Sequence, residues 1–192
     1  MKLFVIRHAQ TEVNVTGNMV KDYDKVGILP FNTHEWWQKV GCNLPEEFDV
    51  YTSPVLRARE TAAALFPSKK VKVFDRLGEI DCSALGDKKF WELEDEEFET
   101  LTGINRDKLN DYVEDLLFFL NNKYQDGTDK NVVLVTHGFT GRAMANYWEG
   151  SDLSALDILK SEGFEFANLD MYSVKNACIQ GVWKFQKPFK RG

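Results

Sequence analysis

Leu3-Phe4-Val5-Ile6-Arg7-His8-Ala9-Gln10-Thr11-Glu12-Val13-Asn14 decides how the rest of the chain is read. Leu3 to Ile6 is a short apolar run rich in β-branched residues, the pattern of a strand buried on both faces inside a parallel sheet. It stops abruptly at Arg7 and His8, two groups that are costly to bury unless an anion or a hydrogen-bond partner meets them. In open α/β sheets, ligands bind outside the carboxyl ends of the strands, which is where Arg7 and His8 fall. Thr11 and Asn14 follow as polar residues able to bond the backbone of a turn or a helix start. Taken alone, Arg-His reads better as a solvated strand end with a satisfied histidine, so the remaining motifs carry the weight.

At 192 residues the chain fits one domain, 1–192. Its 24 Lys+Arg against 30 Asp+Glu leave a net charge of −6. That balance argues against a nucleic-acid or membrane-surface role, so an anionic ligand must be held by a local group of cations. No apolar run reaches membrane-spanning length and no signal peptide precedes the first strand, which predicts a cytoplasmic protein. Cys42, Cys82 and Cys178 are scattered and lack metal-ligand spacing, so reduced thiols and no metal site are expected.

Further along, 15–29 reads as a loop, and Thr33 as the cap of a helix running to about Cys42. Trp36 and Trp37 are neighbours that cannot share a helix face, so one should pack and the other project. A second strand covers Phe48–Tyr51. Ser53-Pro54 then starts a helix from Val55 to Phe66, and a third strand covers Val71–Phe74. The least regular stretch, about 82–106, holds an acidic run at 92–97 with Trp91 and Phe98, and reads as a lid-like insertion. Asp107–Tyr124 is a long amphipathic helix with Leu109, Val113, Leu116, Leu117 and Leu120 on one side. Val132–Val135 is the clearest buried strand, followed by a helix over Thr140–Trp148 and a short one over Ser154–Leu159. Two closing strands, Phe164–Val174 and Ile179–Phe185, precede a loose tail from Lys187.

Strands alternating with helices imply a mostly parallel sheet. Four strand ends then converge on one edge and carry Arg7-His8, Ser53-Pro54 with Arg57, Glu79, and His137-Gly138. Two guanidiniums can grip phosphate oxygens, and helix starts near Ser53 and Gly138 add backbone donors. This is the composition of a phosphate pocket with an embedded nucleophile.

These motifs, in this order, resemble those of the histidine phosphatase superfamily, the phosphoglycerate-mutase-like proteins. The family's Arg-His-Gly-x-Thr-x-x-Asn is matched by Arg7 to Asn14, and its Ser-Pro-Leu-x-Arg-Ala-x-x-Thr-Ala by Ser53 to Ala62. Its Leu-x-Glu is matched by Leu77-Gly78-Glu79 and its Thr-His-Gly by Thr136-His137-Gly138. The resemblance implies a three-layer α/β/α sandwich with a mostly parallel central sheet. By the same resemblance His8 accepts the phosphoryl group, and Arg7, Arg57 and His137 bind its oxygens, supported by Asn14 and Gly138. Glu79 protonates the leaving oxygen and then activates water, with Asp81 as the alternative acid. A nucleophilic imidazole needs one bare nitrogen, so the other should donate to a fixed acceptor, the carbonyl of Ala9.

Ala9 replaces the family's usual glycine, which matters only if that turn needs a positive φ. Arg59 and Arg142 read as helix-surface or structural charges. The implied activity is that of a phosphomonoesterase that uses no metal and no cofactor and acts on a small phosphorylated metabolite or a phosphoprotein. The alternatives are phosphoglycerate-mutase-type transfer and a non-catalytic phospho-ligand binder. The sequence carries no signal for an oligomeric state.

Overall fold

The computed structural model describes residues 1–16, 23–85, 89–124, 130–161, 165–175 and 184–189, the last strand by its backbone alone. In chain order the elements are β1 (Lys2–Arg7), α1 (Glu12–Thr16), α2 (Thr33–Lys39), β2 (Asp49–Thr52), α3 (Leu56–Leu65) and β3 (Val71–Val73). They continue with α4 (Asp95–Thr102), α5 (Arg106–Tyr124), β4 (Asn131–Thr136), α6 (Gly138–Glu149), α7 (Ala155–Lys160), β5 (Met171–Lys175) and β6 (Lys184–Phe189). Short 3-10 turns fill several of the connections.

The six strands form one sheet in the order β3-β2-β4-β1-β5-β6. β1 to β4 are mutually parallel, while β5 and β6 run antiparallel at one side. The two-residue period of each strand separates the core into two faces. Leu3, Val5, Val132 and Leu134 meet the apolar side of α5 and the residues Met144, Ala145 and Trp148 of α6. Phe4, Ile6, Val133 and Val135 instead meet Trp36 of α2 and Ala58, Ala62 and Leu65 of α3. The result is the α/β/α sandwich the motifs imply. The five apolar positions read on α5 are all buried.

A third apolar cluster joins the 82–106 stretch to the rest. Leu85, Leu93 and Phe98 pack on Phe139 and Ala143 of α6 and on Ala155, Leu156 and Ile158 of α7. Phe98 is fully buried, whereas Trp91 is 60% exposed. Covered by the sheet on one side and this stretch on the other, α6 is buried from Gly138 through Asn146. Arg142 is therefore an interior residue, not a surface one.

Several sequence expectations shift. Asn32, not Thr33, caps α2 by accepting from Glu35 N at 3.1 Å, and the helix ends at Lys39. Helical residues begin at Glu12, before the stretch read as a loop, and part of that stretch (17–22) lies outside the described residues. Pro54 precedes α3, whose N-cap is Val55; Ser53 Oγ accepts from Val55 N at 3.2 Å and turns the chain. β5 begins only at Met171, because the preceding Ala167–Asp170 segment is a turn that bonds to the end of β1. The tail is not loose throughout, since β6 runs to Phe189 and pairs with β5. Residues 179–183, read as strand, lie outside the described residues, as does Cys178. Trp36 packs as expected, but Trp37 does not project. It is half-buried against Phe66, with its indole N–H on Leu65 O at 3.1 Å.

Candidate active site

Register brings the strand ends together. Arg7 pairs with Thr136 across β1 and β4, and Thr52 pairs with Val135 across β2 and β4. The ladder continues past the strands, with His8 N on Thr136 O at 2.9 Å, Ser53 N on Val135 O at 3.0 Å and Phe74 N on Thr52 O at 2.9 Å. His8, Ser53 and His137 are thus fixed by backbone before any side chain contributes. The two imidazoles end with their centroids 5.2 Å apart, edge to face.

His8 is 1% exposed. Its Nδ1 lies 2.7 Å from Ala9 O, and a carbonyl can only accept, so Nδ1 carries the proton. Nε2 is left with a lone pair, toward which Arg57 Nε donates at 3.3 Å. Burial first, then His137, Arg57 and Arg7, hold the His8 pKa well below the ordinary imidazole value, outweighing the Ala9 carbonyl. The turn is clamped from α3, where Thr61 Oγ1 accepts from Ala9 N at 2.9 Å and donates to Arg57 O at 2.7 Å. Ala9 is not among the residues with positive φ, so the exchange of glycine for alanine costs no backbone strain.

Arg57 sits in the first turn of α3 and is fully buried. Arg7, the last residue of β1, donates from Nη1 to Phe166 O at 2.6 Å. His137 is fully buried, with Nε2 2.7 Å from Ser53 Oγ; its Nδ1 has no hydrogen-bond partner among the described residues. Burial, then Arg57 and Arg7, depress its pKa as well. Gly138 opens α6, and a β-carbon there would stand 3.2 Å from Arg7 Cζ. A side chain would crowd the guanidinium, so glycine lets α6 start against it.

Glu79 reaches the same corner from the loop after β3. Its Oε1 accepts from Thr140 N at 3.0 Å, Thr140 Oγ1 at 3.0 Å and Ile80 N at 3.2 Å. The loop is held by Thr136 Oγ1 on Leu77 O at 2.8 Å and by Tyr112 of α5, which donates to Arg76 O. Asp81, two residues on, is exposed and turned away. Its Oδ1 accepts from Ser83 N at 2.8 Å, and Ser83 holds the carboxyl below its ordinary pKa.

Asn14 is drawn into local bonds. Its Oδ1 accepts from Thr11 N and Thr11 Oγ1, each at 3.1 Å, and from Asn168 Nδ2 at 3.3 Å. Asn168 also donates to His8 O at 2.9 Å, and sequence reasoning missed it because no motif precedes β5. It stands beside Leu169, which takes a φ of +67° and is held by Leu169 N on Arg7 O at 3.1 Å and Trp36 Nε1 on Leu169 O at 2.9 Å. Thr140 and Arg142 were also missed as site neighbours. Arg142 bonds Ile158 O and Leu159 O at 2.7 and 3.0 Å, and burial together with Arg7 pushes its pKa down to about 10. Both lie one helical turn beyond His137-Gly138, so spacing alone could have flagged them. Among the described residues no group of three or more metal-ligating side chains occurs, and no helix is long and apolar enough to cross a membrane.

A sequence profile of the histidine phosphatase superfamily (branch 1) matches residues 3–179. The chain belongs to that superfamily. No curated protein matches it at the sequence level. Among solved structures, it is similar to a phosphoserine phosphatase from Entamoeba histolytica in complex with 3-phosphoglyceric acid, at 20% identity and a TM-score of 0.75, covering 99% of this chain and 97% of that one. A mycobacterial glucosyl-3-phosphoglycerate phosphatase aligns at 18% identity and a TM-score of 0.65, covering 97% of each chain. A phosphoglycerate mutase from Bacillus anthracis aligns at 14% identity and 0.67, covering 97% and 92%. These likenesses carry the fold. Membership in the histidine phosphatases, with a sheet edge built around His8, places the chain among phosphatases and phosphoryl-transfer proteins.

Proposed function

We propose that this histidine phosphatase is a metal-independent phosphomonoesterase that works through a phosphohistidine on His8. The observation that carries the reading is the pairing of His8 Nδ1 with Ala9 O, which leaves Nε2 bare beside the Arg57 guanidinium. Nε2 attacks phosphorus, the ester P–O bond breaks, and Glu79 gives its proton to the departing oxygen. Water then attacks the phosphohistidine with Glu79 taking its proton; the P–N bond breaks, and phosphate leaves with His8 restored. Arg7, Arg57 and His137 meet the charge on the transferring group, which is mostly what phosphoryl transfer requires of a protein.

Glu79 is favoured over Asp81 because it is seated on the first turn of α6, while Asp81 is exposed, accepts from Ser83 N and holds its proton weakly. A small phosphorylated metabolite is the proposed substrate class, in line with the similar phosphoserine phosphatase bound to 3-phosphoglyceric acid and the similar glucosyl-3-phosphoglycerate phosphatase. The 82–106 stretch, anchored by Lys160 Nζ on Leu93 O at 3.1 Å and Ser154 Oγ on Asp95 Oδ1 at 2.8 Å, is proposed as the lid-like wall of a single domain. Cys42 and Cys82 are free thiols, in keeping with a cytoplasmic setting.

The test is a denaturing alkaline quench during turnover of phosphoserine or p-nitrophenyl phosphate. Wild-type protein should carry acid-labile, base-stable phosphate and release inorganic phosphate to water; His8→Ala should do neither. Turnover without a labelled histidine refutes the mechanism, and transfer back to a second metabolite without free phosphate would make the protein a mutase.

A further inference from the structure

We propose that Thr140 is a positioning residue for proton transfer: its N–H and hydroxyl seat Oε1 of Glu79 and so assign Oε2 as the oxygen that carries the transferable proton. The inference rests on the reading of Glu79 as the acid.

Oε1 has three donors within reach, Thr140 N at 3.0 Å, Thr140 Oγ1 at 3.0 Å and Ile80 N at 3.2 Å. A carboxylate oxygen offers two lone pairs, so this one is saturated. A proton placed on Oε1 would have to displace a donor, whereas one placed on Oε2 leaves both backbone N–H donors to Oε1 in place. Among the described residues none hydrogen-bonds Oε2. Thr140 is the third residue of α6, where a backbone N–H has no partner inside its helix, so the carboxylate also completes the helix start.

The hydroxyl adds a second feature. It has one proton and two acceptors, Gly78 O at 2.7 Å and Glu79 Oε1 at 3.0 Å, and it accepts from Ile80 N at 3.2 Å. With Glu79 ionised, the proton turns to Oε1, the stronger acceptor. Once Oε2 is protonated, Oε1 weakens and the hydroxyl swings to Gly78 O. One O–H rotation thus follows the carboxyl between its acid and base roles, with no heavy atom moving.

Other groups face the carboxyl: Arg142 from α6, Tyr112 from α5 and Cys82 from the following segment. Burial pushes the Cys82 thiol up to about 12 and the Tyr112 phenol above its usual value, and Arg142 stays charged, so none of the three titrates near neutrality.

The experiment compares single-turnover phosphorylation by phosphoserine, an alkyl ester, and by p-nitrophenyl phosphate, an aryl ester, in wild type, Thr140→Val and Thr140→Ser. Valine should slow the alkyl ester about tenfold and leave the aryl ester close to wild type, because only the alkoxide needs a well-placed proton, and serine should restore the alkyl rate. Equal slowing of the two esters in Thr140→Val, or none of either, overturns the proposal, as does a serine variant as slow as valine. Should valine fail to fold, Thr140→Ala serves in its place. The underlying reading fails separately: if Glu79→Gln is phosphorylated by phosphoserine as fast as wild type, Glu79 is not the acid.

Discussion

The two ends of the parallel sheet are built on opposite terms. At the carboxyl ends of β1, β2 and β4, the buried side chains are His8, Ser53, Arg57 and His137, groups that lose hydration on folding. At the amino end of β2, the corresponding space is a cavity of about 500 Å³ lined by Trp37, Leu44, Phe48, Leu65 and Phe66. There the rings stack edge to face, with Phe66 5.9 Å from Trp37 and 5.5 Å from Phe48. Charges at that end sit near the rim, where Lys72 bonds Asp49 at 2.8 Å and Tyr124 bonds it at 2.6 Å. One end therefore stabilises the fold through apolar burial, and the other holds polar groups poised for an anion. Substitutions at the two ends should separate activity from stability.

The largest effect belongs to His8. If the phosphoryl group passes through His8 as proposed, His8→Ala should lower turnover by about 10⁴-fold or more. Its melting temperature should stay close to that of wild type. A variant that keeps substantial turnover, or one that simply unfolds, would break the contrast between the ends.

Next comes the acid. Glu79→Gln should slow phosphorylation by an alkyl ester by ~10²–10⁴-fold, because an alkoxide must be protonated as it leaves. A p-nitrophenolate leaves with little help, so the aryl ester should be far less affected, and Asp81→Asn should do little with either. The comparison belongs in single-turnover formation of phosphoenzyme. Leaving-group dependence that follows Asp81 instead would move the acid to the exposed carboxylate.

At the opposite end the expected loss is in stability. Phe66 is 3% exposed and touches Trp36, Trp37 and Phe48, so Phe66→Ala should cost about 3–5 kcal/mol by denaturant titration. Activity of the folded fraction should be unchanged. A fall in kcat at full folding would show that the two ends are coupled through α3, which runs between Arg57 and Phe66.

Much of this contrast was legible in the sequence, for a physical reason. A buried strand that stops at Arg7-His8 or at Thr136-His137 announces its edge, because such groups are costly to bury unless an anion or a hydrogen-bond partner meets them. The heptad-like spacing of Leu109, Val113, Leu116 and Leu120 likewise reports one face of α5. The misses share a different cause. Asn168 and Thr140 act through hydrogen bonds made across long sequence separations, to His8 and Glu79 respectively, and only Thr140, a helical turn beyond His137, had a spacing that could flag it. Leu169 at positive φ defied its residue type, since only tertiary bonds to Arg7 and Trp36 hold it there. The Asn32 cap lay one residue from the one expected, the ordinary uncertainty where two polar residues adjoin.

The smallest expected effect is the pH dependence of stability, and it tests the site edge without any substrate. His8 and His137 have folded pKa values well below their unfolded value of about 6.5, mainly through burial. Below that value the unfolded chain binds protons that the folded chain refuses. Stability therefore falls as pH drops from about 7 toward 5, with a slope of up to ~1.4 kcal/mol per pH unit for each histidine. Asp49 and Asp81, held below 3.8, add their own loss only in a more acid range. Denaturant titrations at pH 7.5, 6.5 and 5.5 should show the decline. His8→Gln should remove part of it. Adding inorganic phosphate should flatten the slope, because an anion between Arg7, Arg57 and the imidazoles favours their charged forms and raises the folded pKa values. A profile that is flat between pH 7 and 5 without phosphate would mean that the histidines are protonated as readily in the fold as outside it, and the site edge would lose the poise that sets it apart from the aromatic end.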